Sequence, residues 1–289
     1  LHIAPRITML NRRDRQDVVW FNQDRVGLGS LNLSTQQIIM YSEKSDLGEN
    51  FAIKDASSVI DFGDELWLAG AYDAKISVFS KNGSLLTNKG TIQLADYDAK
   101  IGTPSQLFRD NKGIIWVLTS NGILKKSSPT SDFESVKEIS GAVTGAAESH
   151  DELIWFCTKD RGIFAYDRKT SKIAAVLNLA TALLKSSKIQ AIATDKHDFL
   201  WIATQDGRLF SYNPKTKIFQ QFLPNYFSQQ LQVLNLYWFD NFLWITTARS
   251  IFRFDPEKQA VEEYSAKDGI AVKLFSPLAI TPTNDDHTL

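Results

Sequence analysis

Apolar runs of strand length, broken by turns of Asp, Asn and Gly, fill most of the chain. The runs mix branched, aromatic and small residues, and the segments flanking them alternate apolar with polar in the two-residue period of a half-buried strand. Two stretches display the pattern: Asp198-Phe-Leu-Trp201-Ile-Ala-Thr204-Gln-Asp-Gly207-Arg-Leu-Phe-Ser-Tyr212-Asn-Pro214 and Asp151-Glu-Leu-Ile-Trp155-Phe-Cys-Thr158-Lys-Asp-Arg-Gly162-Ile-Phe-Ala-Tyr166-Asp167. In each, an acidic turn opens onto an apolar strand that carries a tryptophan. A second polar turn follows, and the next strand closes on an aromatic and Asp or Asn. Upstream lie segments of small or β-branched residues, such as Val143-Thr144-Gly145 and Ala191-Ile192-Ala193-Thr194; downstream lie alternating ones, such as Lys217–Phe222 and Ala260–Tyr264. The expected unit is a four-stranded antiparallel meander.

The unit recurs. Trp20, Trp67, Trp116, Trp155, Trp201 and Trp244 are spaced by 47, 49, 39, 46 and 43 residues, and the third residue after the tryptophan is Gly70, Thr119, Thr158, Thr204 or Thr247 in five of the six copies. Asp17, Asp64, Gly113, Asp151, Asp198 and Asp240 mark the preceding turns, where such residues tolerate unusual backbone angles or cap their own backbone. Four strands per period of about 45 residues predict an all-β fold, a β-propeller. The blades read as 7–50, 51–100, 101–140, 141–185, 186–228 and 229–270, with a partial one at 271–289.

Blades narrow toward the propeller axis, so the innermost strand calls for small side chains, and Gly145, Ala191, Ala193 and Ala279 fit. The six tryptophans are expected to wedge between neighbouring blades: recurrence in register with apolar flanks favours core over sugar-stacking platforms. Trp238 falls outside the register, before the turn at Asp240, and is assigned to packing. Two segments break the pattern and are expected to join blades, Leu179–Leu184 with helix-forming residues and Asn225–Leu231.

The ends bear on the blade count. Leu278–Thr281 and Asn284–Asp286 repeat the approach to each earlier tryptophan, so a seventh would fall near position 290. A seven-bladed ring is the expected arrangement and six blades the alternative. The chain opens on Leu1 with nothing resembling a signal peptide, and is read as a single propeller domain cut from a longer protein.

Composition narrows the function classes. The 289 residues carry 32 basic and 33 acidic side chains, a formal charge of -1. Binders of nucleic acid or of anionic membranes need a basic field that this balance lacks. A single cysteine, Cys157, excludes an internal disulfide framework and cysteine-built zinc sites, and His2, His150, His197 and His287 show no metal-ligand spacing. No run is long and apolar enough to read as a membrane helix.

The string from Trp201 to Pro214, with Asp268-Gly269-Ile270 between blades and Asp110-Asn-Lys-Gly113 before a tryptophan, resembles the two-component regulator propeller family. The resemblance covers nearly the whole chain and is strongest in blades four to six. It departs in lacking most of the family's Asp-Gly-Leu turns and in having Ser250 where blade six would carry glycine. It implies a periplasmic sensor domain of a bacterial membrane signalling protein, a histidine kinase or diguanylate cyclase, tethered through sequence outside this segment and able to form homodimers at full length.

No catalytic motif stands out: there is no Gly-x-Ser-x-Gly elbow, no Gly-x-x-x-x-Gly-Lys loop and no His-Glu-x-x-His. Neither metal nor cofactor is expected. Cys157 reads as a buried structural thiol, and the histidines beside Asp-bearing turns as solvated turn residues. Ligand recognition is assigned instead to turns joining second and third strands and to segments between blades, which are expected to gather on one face around the mouth of the propeller channel. Candidate ligand-binding residues are Tyr72, Asp73, Tyr97, Asp98, Lys159, Arg161, Gln205, Asp206, Tyr226 and Arg249, with Asp24, Arg25, Asn121 and Asn225 nearby in the same loops. Aromatic faces mixed with Arg and Asp suit a small polar ligand such as a carbohydrate or a small anion. A protein-interaction scaffold is the alternative, and a propeller lyase or glycosidase the third.

Overall fold

The computed structural model describes residues 7–9, 18–23, 27–32, 35, 37–41, 56–62, 64–82, 85–128, 130–177, 188–223, 233–247, 250–265 and 267. The chain divides into two compact units between Ser140 and Gly141.

The first unit holds three four-stranded antiparallel sheets. They are β1 (Ile7–Met9), β2 (Val18–Gln23), β3 (Gly27–Asn32) and β4 (Gln37–Tyr41); β5 (Ala56–Asp61), β6 (Glu65–Gly70), β7 (Lys75–Asn82) and β8 (Leu85–Gln93); and β9 (Pro104–Arg109), β10 (Ile115–Thr119), β11 (Gly122–Lys126) and β12 (Phe133–Ser135). The second unit repeats the plan with β13 (Val143–Glu148), β14 (Leu153–Thr158), β15 (Gly162–Asp167) and β16 (Lys172–Leu177); β17 (Ile189–Thr194), β18 (Leu200–Thr204), β19 (Leu209–Asn213) and β20 (Ile218–Phe222); and β21 (Val233–Phe239), β22 (Phe242–Thr247), β23 (Ile251–Asp255) and β24 (Ala260–Tyr264). Every sheet is a meander in chain order, as the repeat predicts, with each tryptophan of the register on a second strand.

The fifth sheet shows why these second strands are apolar throughout. Leu200, Ile202, Phe210 and Tyr212 face the fourth sheet, joining Trp155, Cys157 and Ile163. Trp201, Ala203 and Leu209 face the sixth, joining Leu236, Leu243, Phe252 and Phe254. A strand covered on both faces has no polar side to present, so the strict alternation is lost there. The first unit follows suit, with Trp67 and Ile76 packed on Leu107, Val117 and Phe133 of the next sheet. Trp116, Trp155 and Trp201 are buried, and Trp244 is half-buried. Gly145, Ala191 and Ala193 are buried on the first strands β13 and β17. A Cβ at Gly145 would sit 3.4 Å from Cys157 Sγ, which leaves little room there for more.

The segments Leu179–Leu184 and Asn225–Leu231, the side chain of Trp20, Ala279 and the partial blade 271–289 lie outside the described residues. Among the described residues no helix is long and apolar enough to cross a membrane.

Candidate functional site

Among the described residues, the two ends of the second to fifth sheets differ in chemistry. At the end where the first strand turns into the second, side chains are consumed in holding the tryptophan. Asp195 takes the backbone N–H groups of His197 (2.8 Å) and Phe199 (3.0 Å) on one oxygen and the indole N–H of Trp201 (3.0 Å) on the other. Asp110 does the same for Lys112, Ile114 and Trp116. In the fourth sheet Ser149 Oγ accepts from Trp155 Nε1 at 3.4 Å, and in the second Glu65 accepts from Trp67 Nε1 at 3.0 Å. These carboxylates and hydroxyls satisfy buried donors that would otherwise cost free energy. His150, exposed beside this end, approaches Asp198 of the next sheet with its backbone N–H (2.7 Å) and Nδ1 (3.2 Å). It makes no bond to its sequence neighbour Asp151.

At the opposite end, between second and third strands, the recurring threonine carries the turn. Thr158 Oγ1 donates to the Gly162 carbonyl (2.9 Å) and accepts the Arg161 N–H (3.1 Å). Thr247 bonds the carbonyl and the N–H of Ser250, both at 3.1 Å. Thr119 and Thr204 fill the same role toward Asn121 and Arg208. All four are buried. Gly122 and Gly162 open the third strands with φ of 131° and 99°, which a side chain would strain. Ser250 takes the glycine's place in the sixth sheet, buried, with its hydroxyl donating to Glu263 at 2.6 Å.

Because backbone and threonine hold these turns, the fate of each remaining side chain can be read separately. Tyr72 stands 78% exposed on the turn after β6. Its neighbour Asp73 pairs with Lys75 at 2.8 Å. After β8 a short 3-10 helix, Leu94–Asp96, leads to Tyr97, 37% exposed, whose ring meets Phe133 edge-on at 5.4 Å. Asp98 accepts the Lys100 N–H (3.0 Å) and the Ser135 hydroxyl (2.7 Å), and these two bonds hold its carboxyl below the usual value. Asn121 donates to the Lys100 carbonyl at 2.6 Å. Asp206 is held by Thr204 Oγ1 and by Arg208 Nε. Lys159, Arg161 and Gln205 are exposed and are held through their backbone N–H groups, which donate to the Ala142 carbonyl, Thr158 Oγ1 and the Lys188 carbonyl. Tyr226, Arg249, Asp24, Arg25 and Asn225 lie outside the described residues.

The sequence-predicted residues therefore divide. Asp73, Asp98, Asn121 and Asp206 are engaged within the fold, whereas Tyr72, Lys159, Arg161 and Gln205 project from it. Sequence reasoning missed Asp110, Asp195 and Ser149 as indole acceptors, although each stands six residues before its tryptophan. Cys157 is buried, and burial pushes its thiol up to about 12.

No family model and no curated protein matches the sequence. Solved structures do. The extracellular domain of a hybrid two-component system of B. thetaiotaomicron aligns with 91% of this chain at a TM-score of 0.65 and 17% identity. The extracellular domain of a one-component system of the same organism gives 91%, 0.65 and 14%. YCF48 bound to D1 peptide gives 96%, 0.65 and 14%. The chain is a β-propeller. It spans 41% and 34% of the two extracellular domains and 89% of YCF48.

Proposed function

We propose that this propeller is the periplasmic sensor domain of a bacterial membrane signalling protein, a sensor kinase or diguanylate cyclase, and that it takes a small polar ligand at the threonine-held ends of its sheets. The observation that carries the reading is the division of labour between the ends. One end spends its polar side chains on the indoles. The other is fixed by buried threonines and backbone, and leaves Tyr72, Lys159, Arg161 and Gln205 facing solvent. In the second unit the hydrogen-bonding cations and the amide match the needs of a carbohydrate or small anion, and in the first unit Tyr72 offers an aromatic face of its own. The two extracellular signalling domains of the same fold support the sensing context, and fold alone leaves the ligand open. Binding would act by shifting the population between arrangements of the domain and the segments beyond it.

A thermal-shift screen of the 289-residue chain against neutral sugars, acidic sugars and small anions tests the reading. A raised melting temperature with one class, lost in Tyr72→Ala or Arg161→Ala, supports it. A flat response to every class counts against it.

A second reading, a peptide-binding scaffold, draws on YCF48, a propeller of similar length that was solved with a bound peptide. Extended peptides raising the melting temperature where sugars and anions do not would favour it. Among the described residues no group of three or more His, Cys, Asp or Glu is placed to hold a metal ion, and the lyase or glycosidase reading gains no observation.

A further inference from the structure

We infer that the ligand contacted by the second unit is an oxyanion, bound by Arg161, Lys159 and Lys188. This rests on the sensing reading above and gives it a chemical class.

The arginines show the contrast. Arg168 pairs with Glu148 (2.6 Å) and Glu152 (3.1 Å), Arg208 with Asp206 (2.9 Å) and Arg253 with Glu262 (2.8 Å). Arg109 lies over the Phe62 ring at 5.3 Å. Arg161 alone among the described arginines has an exposed guanidinium with neither carboxylate nor ring. A guanidinium presents a planar fork of donors that matches carboxylate, sulfate or phosphate two bonds at a time.

Two backbone bonds and the Thr144 hydroxyl tie the segments that carry two lysines to the same end of these sheets. The Lys159 N–H reaches the Ala142 carbonyl at 2.8 Å, which fixes the turn 159–161 against the entry to β13. Thr144, two residues further on, bonds the Ile189 carbonyl at 3.3 Å, so β17 starts alongside. The Lys188 carbonyl, one residue earlier, takes the Gln205 N–H at 2.8 Å. The turn of the fourth sheet, the entry to β17 and the turn of the fifth sheet thus form one ledge.

Its charge is uneven. Among the described residues, Lys159, Arg161 and Lys188 are exposed and without a carboxylate partner, and Asp160 is the one unengaged acid beside them. Asp206, the other acid there, is spent on Arg208 and Thr204. The corresponding end of the second sheet differs, since its cation Lys75 is already neutralised by Asp73. A local cationic excess on a chain of net charge -1 attracts anions over a Debye length of about 8–10 Å. Gln205 adds an amide that can orient a hydroxyl or carboxylate beside the guanidinium.

The test is calorimetric titration of the 289-residue chain with citrate, inorganic sulfate and glucose as probes, at fixed ionic strength. Citrate should bind saturably, and sulfate should compete with it. Arg161→Gln and Lys159→Gln, at unchanged melting temperature, should each weaken citrate binding about tenfold or more. Lys217→Gln, on an exposed turn at the other end of the fifth sheet, should leave it unchanged. Equal citrate affinity in Arg161→Gln and the parent chain, or absent citrate binding while glucose binds, overturns the oxyanion assignment and spares the sensing reading. Silence toward all three probes, together with a flat sugar and anion screen, removes both.

Discussion

The indole of Trp238 lies within 12° of parallel to that of Trp201, ring centroids 6.3 Å apart, and stacks the first strand of the sixth sheet onto the second strand of the fifth. Phe222 (5.0 Å) and Phe254 (6.0 Å) complete the surround of Trp201. Trp238 also explains a gap: it occupies the place, six residues before the strand tryptophan, where Asp110 and Asp195 stand in other sheets. The buried Trp244 Nε1 correspondingly has no acceptor among the described residues. Trp201→Ala is expected to cost about 3–5 kcal/mol, by loss of burial and by the cavity left. A double-mutant cycle with Trp238→Ala should return a coupling of about 0.5–1.5 kcal/mol. Urea unfolding followed by circular dichroism measures both, and additive effects would contradict the stack.

Asp195→Ala strips acceptors from two backbone N–H groups and one buried indole, so a loss of about 1–3 kcal/mol is expected. Asp195→Ser should recover part of it, because Ser149 holds Trp155 in the neighbouring sheet. Chemical denaturation of the two variants side by side checks the order, and Ser performing no better than Ala would refute the shared role.

Cys157 is enclosed in the core of the fourth and fifth sheets, and its thiol is pushed up to about 12 by burial. It therefore stays protonated at neutral and mildly alkaline pH, and the protonated form is the unreactive one. Labelling with a thiol reagent at pH 8 should be slow in the native chain and fast in urea. Rapid native labelling would mean the strand is open.

The Asp98 carboxyl is held below its usual 3.8, first by the Lys100 N–H and then by the Ser135 hydroxyl. A lowered folded-state value gives stability that is fully present above 3.8 and lost as pH falls through the folded value. Asp98→Asn should accordingly lower the urea midpoint at pH 7 and match the parent chain more closely as pH drops below that range. A gap independent of pH would sink this account.

Much of the fold was legible because a tryptophan fixed to one strand of a repeated unit advertises the period, and because small residues such as Gly145, Ala191 and Ala193 mark the buried first strands. The turns were legible from Asp and Gly, which mark changes of chain direction. The tertiary partners were not. That Asp98 would meet Ser135, 37 residues away, or that His150 would meet Asp198 rather than Asp151, depends on how neighbouring strands are set side by side. The role of Asp195 hid for a related reason: an aspartate in a turn explains itself locally, and its bond to Trp201 adds a second job that spacing alone does not reveal. The candidate site was legible as a set of turns and not as a set of free side chains, since that depends on which carboxylates the fold has already engaged.

The threonine under the second turn of the third to sixth sheets has one more consequence. With the anchoring hydroxyl set one step inside the sheet, the side chains at 159–161 and 205 are separable from the architecture beneath them, much as hypervariable loops are separable from an immunoglobulin frame. Randomised tips grafted above intact Thr158 and Thr204 should yield molecules that differ in what they capture while melting alike, which makes this propeller a ready frame for engineered recognition.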